Sequence, residues 1–404
     1  MTRRLATPES PRSGATGPRL VGVDATRGIA VLGMMAVHAL YVVDAAGDPT
    51  RWFSLAGGRS AATFAVLAGV GIAFTTRRRQ VPAAEARPTA ASLTARAFAI
   101  GTIGLVLGYT DASIAAVILP YYAVLFLLAI PLVFLTTRWL VMTGVAAAVV
   151  VPVVSHPLRD ALPEPRLINP SFGYLFSDPL RLLSELSLTG TYPALPWMAY
   201  LCAGLIVGRL RLSSARVAGG LLGAGALLAT AASLLSWLLL GPLGGRQQLE
   251  AASSIDVARI LAFGPTGTTP TSTWWWLAID TQHSSTPPDL LHTTGIAVAL
   301  LAAMLLLTHV VRPVLRRVII AVLTPLAAVG ALTLTVYTAH VVFMNSPLDS
   351  FGAVTGYVVQ VVVALAVALA WRQAVGRGPL EAGVTWLARR ARSAATRAPS
   401  PART

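Results

Sequence analysis

Ten apolar runs organise the chain, at approximately 28–43, 60–75, 97–109, 112–135, 139–154, 194–207, 217–240, 290–311, 326–343 and 351–371. Several are shorter than the ~20 residues of a simple bilayer crossing. Polar residues flanking the short runs must then lie inside protein rather than against lipid, where an unsatisfied backbone is too costly. The pattern predicts an all-α, polytopic membrane protein of about ten transmembrane helices.

The first run departs from simple apolarity. Arg27 and His38 are eleven residues apart, and at 100° per residue they return to within about 20° of one another while climbing roughly 16 Å. A guanidinium near one membrane surface and an imidazole well inside it therefore share one helix face. Ionisable groups at that depth are expensive and mark function. Taken singly, Arg27 also fits a snorkelling anchor, and His38 fits an interhelical hydrogen bond.

Composition and charge sharpen this picture. With 55% hydrophobic and 12% charged residues and a mean hydropathy of +0.69, the chain cannot clothe itself in a polar surface. Its single cysteine, Cys202, excludes an intrachain disulfide and a cysteine-based metal site. The net charge of +15 has a topological source. All basic residues are Arg; with both termini cytoplasmic, 24 of the 31 fall in inner segments with four acids, and seven in outer segments with twelve. That segregation obeys the positive-inside rule and makes a nucleic-acid partner unnecessary.

Residues 1–19, rich in Arg, Pro, Ser and Gly, read as a disordered basic cytoplasmic tail, followed by a helical domain over 20–376. Over 377–404, Leu380, Val384 and Leu387 with following arginines predict a cytoplasmic interfacial helix, then a disordered basic end. Two long outer loops, 156–193 and 241–289, are the segments expected to carry function.

Asp24-Ala-Thr-Arg-Gly28 followed by Met34-Met-Ala-Val-His38 resembles the opening of the transmembrane acyltransferase superfamily, in which a basic residue precedes a histidine by ten intervening residues. Within it the chain is similar to bacterial relatives of heparan-alpha-glucosaminide N-acetyltransferase and to the YeiB-like membrane proteins. The likeness extends to Ser60-Ala-Ala-Thr-Phe-Ala-Val-Leu-Ala-Gly-Val-Gly71, Tyr192-Pro-Ala-Leu-Pro-Trp-Met198, Gly208-Arg209, His283-Ser-Ser-Thr-Pro287 and Ala331-Leu-Thr-Leu-Thr-Val-Tyr-Thr-Ala-His340. The resemblance implies transfer of an acyl group, acetyl by expectation, from cytoplasmic acyl-CoA to an extracytoplasmic hydroxyl or amine, such as that of a cell-envelope glycan or glycolipid. It places the protein in the plasma membrane. Arg27 is expected to meet the phosphates of the donor, and His38 to act as general base or, alternatively, as an acylated nucleophile.

Further candidates accompany these two. Asp280 and His283, beside Trp274-Trp-Trp276, are a potential carboxylate and imidazole pair, or a loop cap in an aromatic belt. Tyr337 and His340, three apart, face one way and are expected to line the acceptor cavity or to bond between helices. Arg59 and Ser60 are placed to bind an anionic acceptor or to begin a helix. His292 and His309 read as structural and His156 as solvated. The histidines lack metal spacing, so no metal is expected. A transporter or flippase of a lipid-linked or small polar molecule would use the same buried groups as a pathway, and a scaffold would use them for stability alone. Oligomeric state is not legible.

Overall fold

The computed structural model describes residues 20–265 and 267–397, which excludes the predicted basic tail at 1–19 and the last residues, 398–404. Among the described residues the regular structure is helical, with one isolated β-bridge between Val43 and Pro49. The chain is a multi-pass membrane protein. Among the described residues seven helices are long and apolar enough to cross a bilayer, or eight if one bent pair counts as a single span.

In chain order, α1 (Val21–Ala39), which is not one of those seven, carries the Arg27 and His38 face. Thr50 caps α2 (Arg51–Ala56), which runs into α3 (Arg59–Thr75) to make one apolar unit. Next come α4 (Ala86–Leu107), α5 (Leu119–Leu132) and α6 (Thr137–Leu158), the last capped by Thr136. The fourth expected span, 112–135, shrinks to the 14-residue α5 because Pro120 fits only the first turn of a helix. Short α7 (Phe172–Ser177) and α8 (Pro179–Ser184) lead through a π-helical turn at Glu185–Thr189 into α9 (Ala194–Arg209), with a 49° bend between the two halves.

Ser214 caps α10 (Ala215–Leu240), and the long loop after it holds α11 (Gly245–Ala252) and α12 (Val257–Phe263). Thr286 with Pro287-Pro288 starts α13 (Pro287–Leu307). The expected ninth span, 326–343, is two helices, α14 (Pro313–Ala331) and α15 (Thr333–Met344), meeting at Leu332. Helix α14 begins in what reads as an arginine-bearing loop because Pro313 is again a good first helical residue. Last come α16 (Ala353–Ala374) and α17 (Pro379–Arg397).

Glycine pairs bring helix backbones into contact at three crossings: Gly28 with Gly330 (α1 on α14), Gly69 with Gly204 (α3 on α9) and Gly225 with Gly295 (α10 on α13). Close approach of this kind replaces the hydrophobic drive that lipid-embedded helices lack. The core lies among α1, α3, α5, α9 and α13, around Val31, Leu67, Leu125, Tyr200 and Leu301. Outward faces of α6, α10 and α16 leave Val145, Leu227 and Val362 exposed, as lipid-facing stripes do.

Helix α17 differs from a helix merely lying on a membrane surface. It packs along α4, buries Val384 and Ala388, and ties to the α3–α4 connection through Arg392 and Glu85 at 3.3 Å. His156, expected to be solvated, is buried at 3% exposure, bonded to Arg159 at 3.0 Å and in tilted ring contact with Trp274 at 4.7 Å. The loop carrying Trp274 folds back over the end of α6 and removes it from water.

Candidate active site

The crossing of α1 and α14 sets the site. A β-carbon added at Gly28 would strike the carbonyl oxygen of Leu326, and one added at Gly330 that of Asp24. From this crossing each chain continues ten residues to a histidine, His38 beyond Gly28 and His340 beyond Gly330. At 1.5 Å per residue the unbroken α1 carries the His38 imidazole about 15 Å from the crossing, and the chain past the Leu332 break brings His340 to the same place. They meet there, with Nδ1 of His38 3.1 Å from Nε2 of His340 and the rings parallel to within 7° at 5.3 Å. Nδ1 of His340 lies 2.6 Å from Oε1 of Gln360 on α16.

His38 faces a small cavity of about 30 Å³ whose wall includes Met34, Ser60, Tyr192, His283 and Tyr337. His283 enters from the loop before α13 with a left-handed backbone (φ 59°), its ring against the Tyr192 ring edge at 5.3 Å, and its Nδ1 buried without a hydrogen bond. Burial lowers its pKa from the ordinary 6.5 to about 4. The unfolded chain therefore gains a proton here between pH 6.5 and about 4 while the native state stays neutral. Stability should fall as pH drops through that window and level off below it, by at most about 3 kcal/mol. Thermal unfolding of His283→Gln against wild type at pH 7 and pH 4.5 checks this, since the variant should lose less stability on acidification.

Asp280 does not orient His283. Its carboxylate accepts a hydrogen bond from Ser233 Oγ at 2.8 Å, and the same hydroxyl lies 2.8 Å from Nδ1 of His292. Arg59 donates to the Ser54 carbonyl and places Nη2 3.4 Å from Nε2 of His292. Arg59, Ser233, Asp280 and His292 thus form one network joining α3, α10 and α13, while Ser60 and His283 turn to the His38 cavity. His309 bonds the Ser213 and Leu305 carbonyls and ties α13 to the connection before α10.

A second cavity of about 420 Å³ opens at the other end of α1. Arg27, Arg96 and Glu381 supply its charged groups, while Phe64, Leu67 and Phe126 are among its apolar walls. Arg27 pairs with Asp24 at 3.2 Å. The Glu381 carboxylate accepts from the backbone N–H groups of Leu334 (2.7 Å) and Thr335 (3.1 Å), and from the Thr335 hydroxyl (2.6 Å). It caps α15 where the break at Leu332 frees those donors.

The two cavities share Met34, Ile118 and Tyr337. Tyr337 Oη accepts from the Ile118 N–H at 3.3 Å and so pins part of that common wall. Arg27 and His38 are therefore in neighbouring chambers on one helix face, and Tyr337 lines both. Arg96, Tyr192, Gln360 and Glu381 belong to this site and were not among the residues singled out from sequence. Among the described residues no three His, Cys, Asp or Glu side chains form a metal-holding group.

The model of the heparan-alpha-glucosaminide N-acetyltransferase catalytic family matches residues 19–242. No curated protein sequence matches the chain. The matched stretch is more than half of the 404 residues and contains Arg27, His38, Arg59, Arg96 and Tyr192; His283, His340 and Gln360 lie beyond it. With its helical membrane fold and a histidine chamber adjoining an arginine chamber, the chain belongs to the heparan-alpha-glucosaminide N-acetyltransferase family of transmembrane acetyltransferases.

Proposed function

We propose that this protein moves an acyl group, acetyl by preference, from cytoplasmic acyl-CoA to a hydroxyl or amine on the far side of the plasma membrane, on a cell-envelope glycan or glycolipid. The observation that carries this reading is the shared wall of Met34, Ile118 and Tyr337 between an arginine-lined chamber and a histidine-lined one. Arg27 and Arg96 offer planar, permanently charged forks to the donor's phosphates. The apolar walls suit its extended arm. Met34, a flexible thioether, is the wall residue that yields most readily as the thioester passes toward His38. Space at His38 on the scale of one or two water molecules favours a two-carbon acyl group over a longer one.

The acceptor oxygen or nitrogen attacks the thioester carbonyl carbon while Nε2 of His38 takes its proton. The tetrahedral intermediate collapses with rupture of the C–S bond, and the proton on His38 passes to the departing thiolate. The products are free CoA and the acylated acceptor. The arginine segregation puts the Arg27 end of α1 on the cytoplasmic side.

Purified protein in nanodiscs supplied with acetyl-CoA and an amine or hydroxyl acceptor should release CoA thiol. Arg27→Ala and Arg96→Ala should each weaken acetyl-CoA binding by about 10- to 100-fold, the value of a charge-assisted hydrogen bond of ~1.5–3 kcal/mol. Calorimetric Kd values within twofold of wild type for both variants would refute the donor-site assignment.

A further inference from the structure

We infer that Gln360 is a positioning residue that, acting through His340, leaves His38 with a bare Nε2 facing the acceptor. The inference rests on the acyl-transfer reading and adds to it the origin of the base. The amide of Gln360 is oriented by its Nε2, which donates to the Met344 sulfur at 3.7 Å, so that Oε1 is the atom turned to His340. A carbonyl oxygen only accepts, and the 2.6 Å contact therefore requires the proton of His340 on Nδ1.

In a neutral imidazole the other nitrogen is then a lone pair. Nε2 of His340 must accept, and the group 3.1 Å away is Nδ1 of His38, which must donate. Among the described residues Nε2 of His38 has no hydrogen-bond partner, and it is not a buried, stranded atom; it is left as the acceptor of a substrate proton. Three neutral side chains on three helices thus fix a tautomer without a buried carboxylate, which would be costly to desolvate at this depth.

The parallel rings, 5.3 Å apart, also limit the pair to one charge. When His38 takes a proton on Nε2 it keeps its Nδ1–H donated to His340, and His340 keeps its own proton. The other titratable groups facing this pair are His283 from the loop before α13, Tyr192 before α9, Tyr337 on α15 and Asp349 after α15.

The test uses full-length protein with 15N-labelled histidine in nanodiscs, with His38 and His340 assigned by substitution. Wild type should show a protonated Nδ1 and a bare Nε2 on His38 at neutral pH. Gln360→Met, near-isosteric without the accepting oxygen, should mix the tautomers and lower kcat about 10- to 100-fold with KM for acetyl-CoA unchanged. Gln360→Glu should restore the wild-type tautomer and move the acid limb of the kcat profile to higher pH, because a carboxylate beside His340 favours the protonated pair. A packing role alone would move neither tautomer nor pH profile. A wild-type His38 protonated on Nε2, or a Gln360→Met protein with wild-type spectrum and kcat, overturns the inference. Absence of CoA release from wild type overturns acyl transfer instead, and the spectrum still decides the tautomer.

Discussion

His38→Ala is expected to lower kcat for acyl transfer by about 10²- to 10⁴-fold, the range removed with a positioned general base, while acetyl-CoA still binds. The separation of effects follows from the two chambers. Arg27 and Arg96 are in the larger cavity and His38 is in the smaller one, with Met34, Ile118 and Tyr337 between them. Truncating the imidazole therefore leaves the charged groups of the larger cavity in place and, in the proposed mechanism, removes the group that takes the acceptor's proton. At about 1.4 kcal/mol per factor of ten, the loss corresponds to roughly 3–6 kcal/mol of transition-state stabilisation. CoA release would be followed with a thiol probe at saturating acetyl-CoA. Activity of His38→Ala within twofold of wild type would end the catalytic assignment, and substrate binding with no CoA release by either protein would favour a transporter.

How much of this was legible before the fold depends on the distance over which each relation acts. The Arg27 and His38 register follows from helical periodicity within one run, and α1 preserves it. The partnership of His38 with His340 spans 302 residues and needs the α1 and α14 crossing to be known. Gln360 is a single neutral amide in an apolar run, with no charge or spacing to flag it. Its meaning comes only from the atom it turns toward. Asp280 and His283 are close in sequence, which invited pairing them. The positive φ at His283 turns the chain there, and Asp280 points to Ser233 while His283 points to His38's cavity.

Helix boundaries show the same division. Arg316 and Arg317 made the start of α14 read as a polar loop, yet arginines near a membrane-helix end reach the interface by their long stems. The break at Leu332 carries no proline or glycine of its own. What the break leaves open is closed by Glu381, 46 residues beyond Thr335 on α17, a contact that no local pattern in α15 could announce. The same capping explains why α17 is drawn onto the bundle and becomes part of the wall of the larger cavity.

Gly28→Ala and Gly330→Ala should be among the most damaging small substitutions in the chain, each costing more than about 3 kcal/mol because the obstacle is backbone. In a side-chain core an added methyl is absorbed by rotamer changes at about 1–3 kcal/mol. Here the new carbon would meet the carbonyl of Leu326 or Asp24, and neither can move without shifting its helix. The helices would have to part, and because α1 runs unbroken from Gly28 to His38, its displacement would open the 3.1 Å contact between His38 and His340. Gly223→Ala on α10 is the contrasting case: nothing lies within 4 Å of its new carbon, and alanine exceeds glycine in helix propensity by about 1 kcal/mol. It should be neutral or stabilising. Thermal melts in detergent would compare the three, with CoA release measured on whatever protein remains folded. A Gly28→Ala protein as stable and as active as wild type would show that the crossing does not set the histidine pair, whereas loss of transfer in the folded fraction would tie backbone contact at one end of α1 to chemistry at the other.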